Sequence, residues 1–257
     1  MKQISSSANA ICKSIRRLSR SSRARREEGR IVLDGIHLVQ SYLERFAANE
    51  IELVIRASAM QHQEVKVLTE RATSVTVTDS LFDQLRAVES PVGILAVAAL
   101  PRVDQPAGRG FQILVDGVQD PGNLGSILRS AAAAGATLAH LSRKCADPWS
   151  PKSLRGGMGA QFHLPVREHQ DLAAAAKTLG ARLIACTPTG RLSVFDVDLS
   201  GNIAFVVGGE GAGIAAELLS LTQQQVRIPM RASIESLNAA QAATLCFYEW
   251  LRRAPRE

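Results

Sequence analysis

The sequence predicts an α/β protein of two domains, and three observations carry that reading. Short, nearly continuous apolar runs alternate with longer stretches of helical pattern along most of the chain, as expected where helices cover both faces of a sheet. One stretch, Pro101-Arg-Val-Asp-Gln-Pro-Ala-Gly-Arg-Gly110, holds two prolines and two glycines without periodicity, which marks a linker. Finally, 257 residues with 46% hydrophobic content can build one large core or two modest ones. The expected division is residues 1–100, a linker at 101–110, and residues 111–257.

Residues 1–33 carry nine lysines and arginines against Glu27 and Glu28, and the whole protein has a net charge of +6, so the remainder is close to neutral at −1. A basic arm on a neutral body implies a polyanionic partner, most simply nucleic acid. A solvated helix face is the plainer explanation of the same charges. After the arm, Ile31–Val39 reads as a short strand turning into a helix that continues to Ala47. A strand at Ile51–Ile55, a helix at Ala59–Ala72, a strand around Val75–Val77, a helix from Ser80 to Arg86 and a strand at Gly93–Ala98 follow. Thr78 or Asp79 is placed to cap the helix at Ser80. This alternation describes a small α/β domain.

Beyond the linker, strands at Phe111–Val115, Thr137–Leu141, Phe162–Val166, Arg182–Cys186, Ile203–Val207 and Gln225–Ile228 alternate with helices. The turn after the first of them lacks the G-x-G-x-x-G fingerprint, and Gly209-Glu-Gly-Ala-Gly213 lacks the Lys-Ser/Thr of a phosphate loop. A dinucleotide oxidoreductase is therefore disfavoured. Cys12, Cys145, Cys186 and Cys246 have no paired metal-ligand spacing, and the five histidines are scattered, so no metal site is expected and a histidine base is disfavoured. No apolar run approaches the ~20 residues that span a bilayer. No secretory segment is evident, so reduced thiols, a cytoplasmic location and no membrane partner are expected.

Three loops rich in small and polar residues break the apolar pattern: Leu114–Arg129, Val206–Gly213 and Ile228–Asn238, the last running into an apolar segment that ends near Arg253. Ser236 or Asn238 can cap that final helix. Asn123 is expected to open the helix after the first loop, and Gly213 to start one for which Glu210 would be the dipole partner. Glycines 208, 209, 211 and 213 allow backbone to approach a bulky ligand, or simply make tight turns. Asn123 and Arg129 are six apart, so helical spacing alone does not bring them together.

In this order and at these separations, the loops resemble the signature set of the SpoU (TrmH-like) branch of SPOUT RNA methyltransferases, over roughly residues 111–253. Residues 1–100 also resemble that family's ribosomal-protein-like RNA-binding domain, with Asp34-Gly35-x-His37 where relatives often show a Glu-Gly turn. The resemblance implies a parallel sheet with a deep trefoil knot, S-adenosylmethionine as methyl donor and an RNA ribose 2′-hydroxyl as acceptor. Ribosomal RNA is favoured over transfer RNA, because a separate N-terminal domain suits recognition of a folded RNA element. The family's homodimers draw on both subunits for their sites. The apolar side of the last helix, with Leu237, Leu245, Phe247, Tyr248, Trp250 and Leu251, packs at such an interface or covers its own sheet.

The resemblance also implies site roles. Asn123 and Arg129 would face the target nucleotide, with Arg129 gripping phosphate or acting in deprotonation. Glu210 would form part of the active-site wall, and Ser236 and Asn238 would bridge the pocket to the reacting centre. Gly208, Ile228 and Leu237 would hold the cofactor through backbone groups, with Gly209, Thr187 and Pro188 extending the wall. Where relatives often carry Ala-Ser, this chain has Gly156-Gly157, in the stretch with Lys152 and Arg155. A non-catalytic RNA-binding protein of the same fold is the alternative. It would be expected to have lost Asn123, Arg129, Glu210 or Asn238, and all four are present.

Overall fold

Side chains alternate across a strand, and this sorts each half of the chain into apolar layers on two faces of a sheet. The computed structural model describes residues 2–86, 93–105, 110–231 and 236–254. Part of the expected linker (106–109) and part of the third loop (232–235) thus lie outside the described residues. Two compact units separate: one runs to Arg102 and includes Asp147–Phe162, and the other comprises Val103–Ala146 and the chain from His163 onward. A single boundary at 101–110 does not describe this division, because sixteen residues of the C-terminal half group with the first unit.

In chain order the first unit holds β1 (Lys2–Ile4), α1 (Ala10–Arg20), α2 (Ser22–Glu28), β2 (Arg30–Asp34), α3 (Ile36–Leu43), β3 (Ile51–Arg56), α4 (Gln63–Arg71), β4 (Thr73–Val77), α5 (Asp79–Leu85) and β5 (Ile94–Ala99). Its sheet runs β1-β4-β3-β5-β2, with β5 antiparallel to both its neighbours. Ile31, Leu33, Leu53, Ile55, Ala96 and Ala98 face one layer with α3 and α4. Val32, Val54, Leu95 and Val97 face the other, with α1 and α5.

The expected basic arm is corrected here: it is folded. Ile11, Cys12, Ile15 and Leu18 form the helical apolar stripe that buries α1 on the sheet, a 3.6-residue period masked in the sequence by the charges between them. Arg25 is also buried, its Nη2 bonded at 2.6 Å to the Asp147 carboxylate, with side chains 5% and 14% exposed. Removing one partner of such a pair strands a buried charge and costs about 3–5 kcal/mol. The helix expected at Ala59–Ala72 is broken at His62, whose extended backbone separates a 3₁₀ turn (Ala57–Gln61) from α4. The helix expected to reach Ala47 ends at Leu43. Thr78 caps α5.

The chain continues through β6 (Phe111–Asp116), α6 (Pro121–Ala133), β7 (Ala136–Ser142), α7 (Pro151–Gly157, in the first unit), β8 (Val166–Gln170), α8 (Leu172–Thr178), β9 (Arg182–Cys186), β10 (Leu192–Ser193), β11 (Ile203–Gly208), α9 (Ala216–Ser220), β12 (Gln224–Arg227) and α10 (Ala239–Arg253). Seven strands form a sheet in the order β10-β12-β9-β11-β6-β7-β8, and every pairing in it is parallel. Ile113, Val115, Phe205 and Val207 pack towards α6 and α10, while Leu114, Ala204 and Val206 pack towards α8 and α9. Phe111, Phe205, Phe247 and Trp250 form an aromatic cluster that fixes α10 to the sheet. Truncating a fully buried ring such as Phe247 costs about 3–5 kcal/mol.

The strand expected at Phe162–Val166 lies later. Phe162 closes a 3₁₀ turn whose ring is buried in the first unit beside Tyr42, and only Val166 begins β8. Gly157 has a packing reason for its departure from the family pattern: a Cβ there would run into the buried Gln161 amide.

Candidate active site

The parallel register brings the loops to one edge. β12, β9, β11 and β6 are neighbours, and in the ladder Gly208 stands level with Asp116, and Cys186 with Val207 and Val226. The segments leaving their C-terminal ends therefore emerge side by side, which is where open parallel sheets place ligands. A cavity of about 580 Å³ opens there, lined by the segments after β9, β11 and β12 and the first turns of α10. Its size suits a small-molecule ligand.

Asp116 ties down the glycine loop. Its backbone carbonyl accepts from Gly209 N–H at 2.8 Å, and its buried carboxylate accepts from Ala215 N–H at 2.9 Å. One residue thus holds both limbs of the 209–215 segment. Gly208 and Gly209 are required sterically. A Cβ on Gly208 would meet Ile214 N at 2.6 Å, and one on Gly209 would run into the Gly117 backbone. The tie by Asp116 was not foreseen, although an acid ending an apolar run just before a glycine is a signal for it.

Three residues from three loops form one polar chain. Asn238 Nδ2 donates to Asn123 Oδ1 at 3.1 Å, and Asn123 Nδ2 donates to Glu210 Oε1. Asn238 also caps α10, its Oδ1 accepting from Ala240 N–H at 2.9 Å and Gln241 N–H at 3.4 Å. Two local expectations change. Asp120, not Asn123, caps α6, with Pro121 in the first turn. Glu210 precedes no helix directly, since α9 begins at Ala216, so its carboxylate serves Asn123 rather than a helix dipole.

Gly208, Gly209, Glu210, Ile228, Ser236, Leu237, Asn238, Thr187 and Pro188 all line the cavity. Asn123 reaches its edge through the bonds to Glu210 and Asn238. Arg129 does not line it: its side chain is exposed on α6, with no partner among the described residues. Cys186 and Cys246 meet in the cavity wall, where a hydrogen bond between them and burial push the Cys186 thiol up.

The residues present fit an adenosyl-amino-acid ligand. The Thr187 hydroxyl oxygen is buried without a partner among the described residues, leaving a donor and acceptor for a bound molecule. The glycines supply a side-chain-free backbone, and Ile228, Leu237 and Ala243 supply apolar contact for a ring. No group of three or more His, Cys, Asp or Glu able to hold a metal occurs among the described residues. Nor is any described helix long and apolar enough to cross a membrane.

Comparison with known proteins agrees with this geometry. The profile of the SpoU rRNA Methylase family matches residues 110–248, and that of the MRM3-like substrate binding domain matches residues 9–96. An uncharacterized tRNA/rRNA methyltransferase of Synechocystis is 31% identical over 97% of this chain and 93% of its own length. The 23S rRNA (guanosine-2′-O)-methyltransferase RlmP of Bacillus subtilis is 30% identical over 96% of this chain and 98% of its own. Among solved structures, the SpoU methyltransferase AviRb of Streptomyces viridochromogenes, in complex with AdoMet, superposes with a TM-score of 0.84 at 28% identity, covering 95% of this chain and 98% of that one. With the family profile spanning more than half its length and its three signature loops gathered around one cavity, the chain belongs to the SpoU rRNA methylase family.

Proposed function

We propose that this protein transfers a methyl group from S-adenosylmethionine to a ribose 2′-hydroxyl of ribosomal RNA. The observation that carries the proposal is the convergence of Asn123, Glu210 and Asn238, from three separate loops, at the rim of one cavity. The names of the relatives agree: RlmP and a Streptomyces relative are both 23S rRNA 2′-O-methyltransferases.

Backbone groups at Gly208, Ile228 and Leu237, with the Thr187 hydroxyl, hold the cofactor, and Gly209 lets the loop close around it. The cofactor supplies an electrophilic methyl on a sulfonium. The protein supplies position: the chain Asn238–Asn123–Glu210 fixes the rim against which the ribose lies, and Ser236 beside it completes the contact with the sugar. Arg129 grips the target phosphate, a task suited to a planar guanidinium with no competing carboxylate.

Arg129 is absent from its own cavity wall, and this supports a dimer in which it serves the partner's site. Ser130, its neighbour, bonds Thr244 of α10 at 2.7 Å, and next to Thr244 begins an exposed apolar stripe, Leu245, Tyr248 and Leu251. A second copy seated on that stripe would bring another cavity towards Arg129. The knot implied by the resemblance and a cytoplasmic site of action belong to the same proposal.

Ribosomal RNA from cells lacking this gene, incubated with the purified protein and methyl-labelled S-adenosylmethionine, is expected to gain label at one ribose, resistant to alkaline cleavage. Label on a base, or none with calorimetric evidence of cofactor binding, would overturn the assignment.

A further inference from the structure

Two cysteines that the proposed transfer does not use meet in the cavity wall. Cys186 ends β9 and is partly exposed, whereas Cys246, midway along α10, is buried. Both are free thiols, both line the cavity, and a hydrogen bond joins them. Sixty positions separate them in the chain; the packing of α10 on β9 brings them together. On α10, Ala239, Ala242, Ala243 and Cys246 follow at spacings of three and four, which puts them on one side of the helix, and all four line the cavity. Cys246 therefore anchors the helix face that offers apolar contact to a ligand's ring.

We infer that Cys186 and Cys246 form a reversible disulfide that closes the cavity to S-adenosylmethionine. The inference rests on the proposed cofactor and names an oxidative control of its site. The oxidant is hydrogen peroxide, small enough to enter a cavity of about 580 Å³. Cys186 reaches the cavity and reacts first: its sulfur attacks one peroxide oxygen, the O–O bond breaks, water leaves and a sulfenic acid forms. The Cys246 sulfur then attacks that sulfur, the S–S bond forms, and the second oxygen leaves as water. The two thiols give up two electrons and two protons, and one peroxide becomes two waters. Nonbonded atoms rest about 3.5–4.0 Å apart and bonded sulfurs about 2.05 Å, so closure draws α10 and β9 together by roughly 1.5 Å or more. The hydrogen bond and burial hold the proton on Cys186, and a thiol reacts as its thiolate, so closure needs sustained peroxide rather than a brief pulse.

The test uses the full chain, treated with hydrogen peroxide or with dithiothreitol. Peptide mapping of the oxidised protein is expected to find Cys186 joined to Cys246. Calorimetry is expected to show the Kd for S-adenosylmethionine raised about 5- to 150-fold by oxidation and restored by dithiothreitol. At ten times its Kd, S-adenosylmethionine leaves about one protein in eleven empty, so it should slow closure about tenfold. Cys186→Ala and Cys246→Ala should each bind equally before and after peroxide. Cys145→Ala, which removes a thiol that donates to the Val115 carbonyl, should respond as the unsubstituted chain does. Absence of the linked peptide, a Kd changed by less than about fivefold, or a loss of affinity that persists in Cys246→Ala would each overturn the switch. Its failure is separable from that of the methyl-transfer reading. Affinity lost on oxidation without label on ribose sinks only the enzymatic assignment, and label gained equally before and after closure sinks only the switch. A reduced protein without affinity for S-adenosylmethionine sinks both.

Discussion

Gly208→Ala probes the glycine loop most sharply, because the structure supplies both the collision and its control. The added Cβ would lie 2.6 Å from Ile214 N and 2.7 Å from Gly213 O, where ordinary contact begins at 3.4 Å. The Gly213 carbonyl carbon is nearer still, so the returning limb must retreat by about 1 Å. It is not free to do so, since the Asp116 carboxylate holds Ala215 N–H from behind at 2.9 Å. Forcing a methyl into packed backbone costs about 1–3 kcal/mol. Because the strained loop is itself cavity wall, that cost should appear in cofactor binding, as roughly a 5- to 150-fold rise in Kd. Gly211→Ala in the same loop is the control: its Cβ meets nothing within 4 Å and its φ is not left-handed. Titration calorimetry with S-adenosylmethionine should separate the two variants by at least about fivefold. Equal affinities would refute the reasoning, showing that the ligand does not use this limb.

Four further outcomes follow from the same geometry. Arg129→Ala is expected to abolish methyl transfer while leaving S-adenosylmethionine affinity within twofold by calorimetry; equal loss of both would contradict a role confined to RNA. Asp116→Ala leaves the Ala215 N–H without its acceptor and should raise the Kd for S-adenosylmethionine about tenfold, at about 1–2 kcal/mol, while Asp116→Asn, which keeps a carbonyl acceptor, should restore most of it. Asn238→Ala removes the α10 cap, costing about 1 kcal/mol of stability in denaturant melts, and should lower turnover more than Asn238→Ser, which can still cap. Burial, with Arg167 adding to it, holds the His140 imidazole down to about 4, against 6.5 ordinarily. Above 6.5 the histidine is neutral folded or unfolded; between 6.5 and about 4 the unfolded chain binds more protons, so stability should drop as the pH is lowered through that window. His140→Gln should flatten this part of the pH profile of the denaturation midpoint.

What could be read from the chain depended on how local the cause was. β6, β9 and β11 were legible because a strand buried on both faces is written in consecutive residues, as in Ile203–Gly208. The α10 cap was legible too, since Asn238 acts on amides two and three residues away. The N-terminal helices were hidden by composition: seven cations in α1 and α2 drew attention from four apolar residues at helical spacing. The displacement of β8 came from Phe162, apolar like a strand residue but grouped with the first unit, where its ring is buried beside Tyr42. The Asp147–Phe162 segment follows the same logic, because the Arg25–Asp147 pair is a contact across 122 residues that no window of sequence contains.

Site residues divide along the same line. Each loop was visible alone, yet the bond from Asn238 to Asn123 spans 115 residues and that from Asn123 to Glu210 spans 87. What joins them is register. Gly208 lies beside Asp116 because β11 and β6 pair in parallel at that level, and Cys186 lies between Val207 and Val226 for the same reason. In a parallel sheet a slip of one residue turns every side chain to the opposite face. Here such a slip in β11 would put Phe205 and Val207 among the residues under α8 and α9 and move the glycine loop off Asp116. The apolar alternation that buries β11 on two different layers is therefore also what sets the height of the cavity wall. Core packing and the proposed cofactor pocket rest on one alignment, so a substitution deep in the sheet can alter binding without touching the ligand.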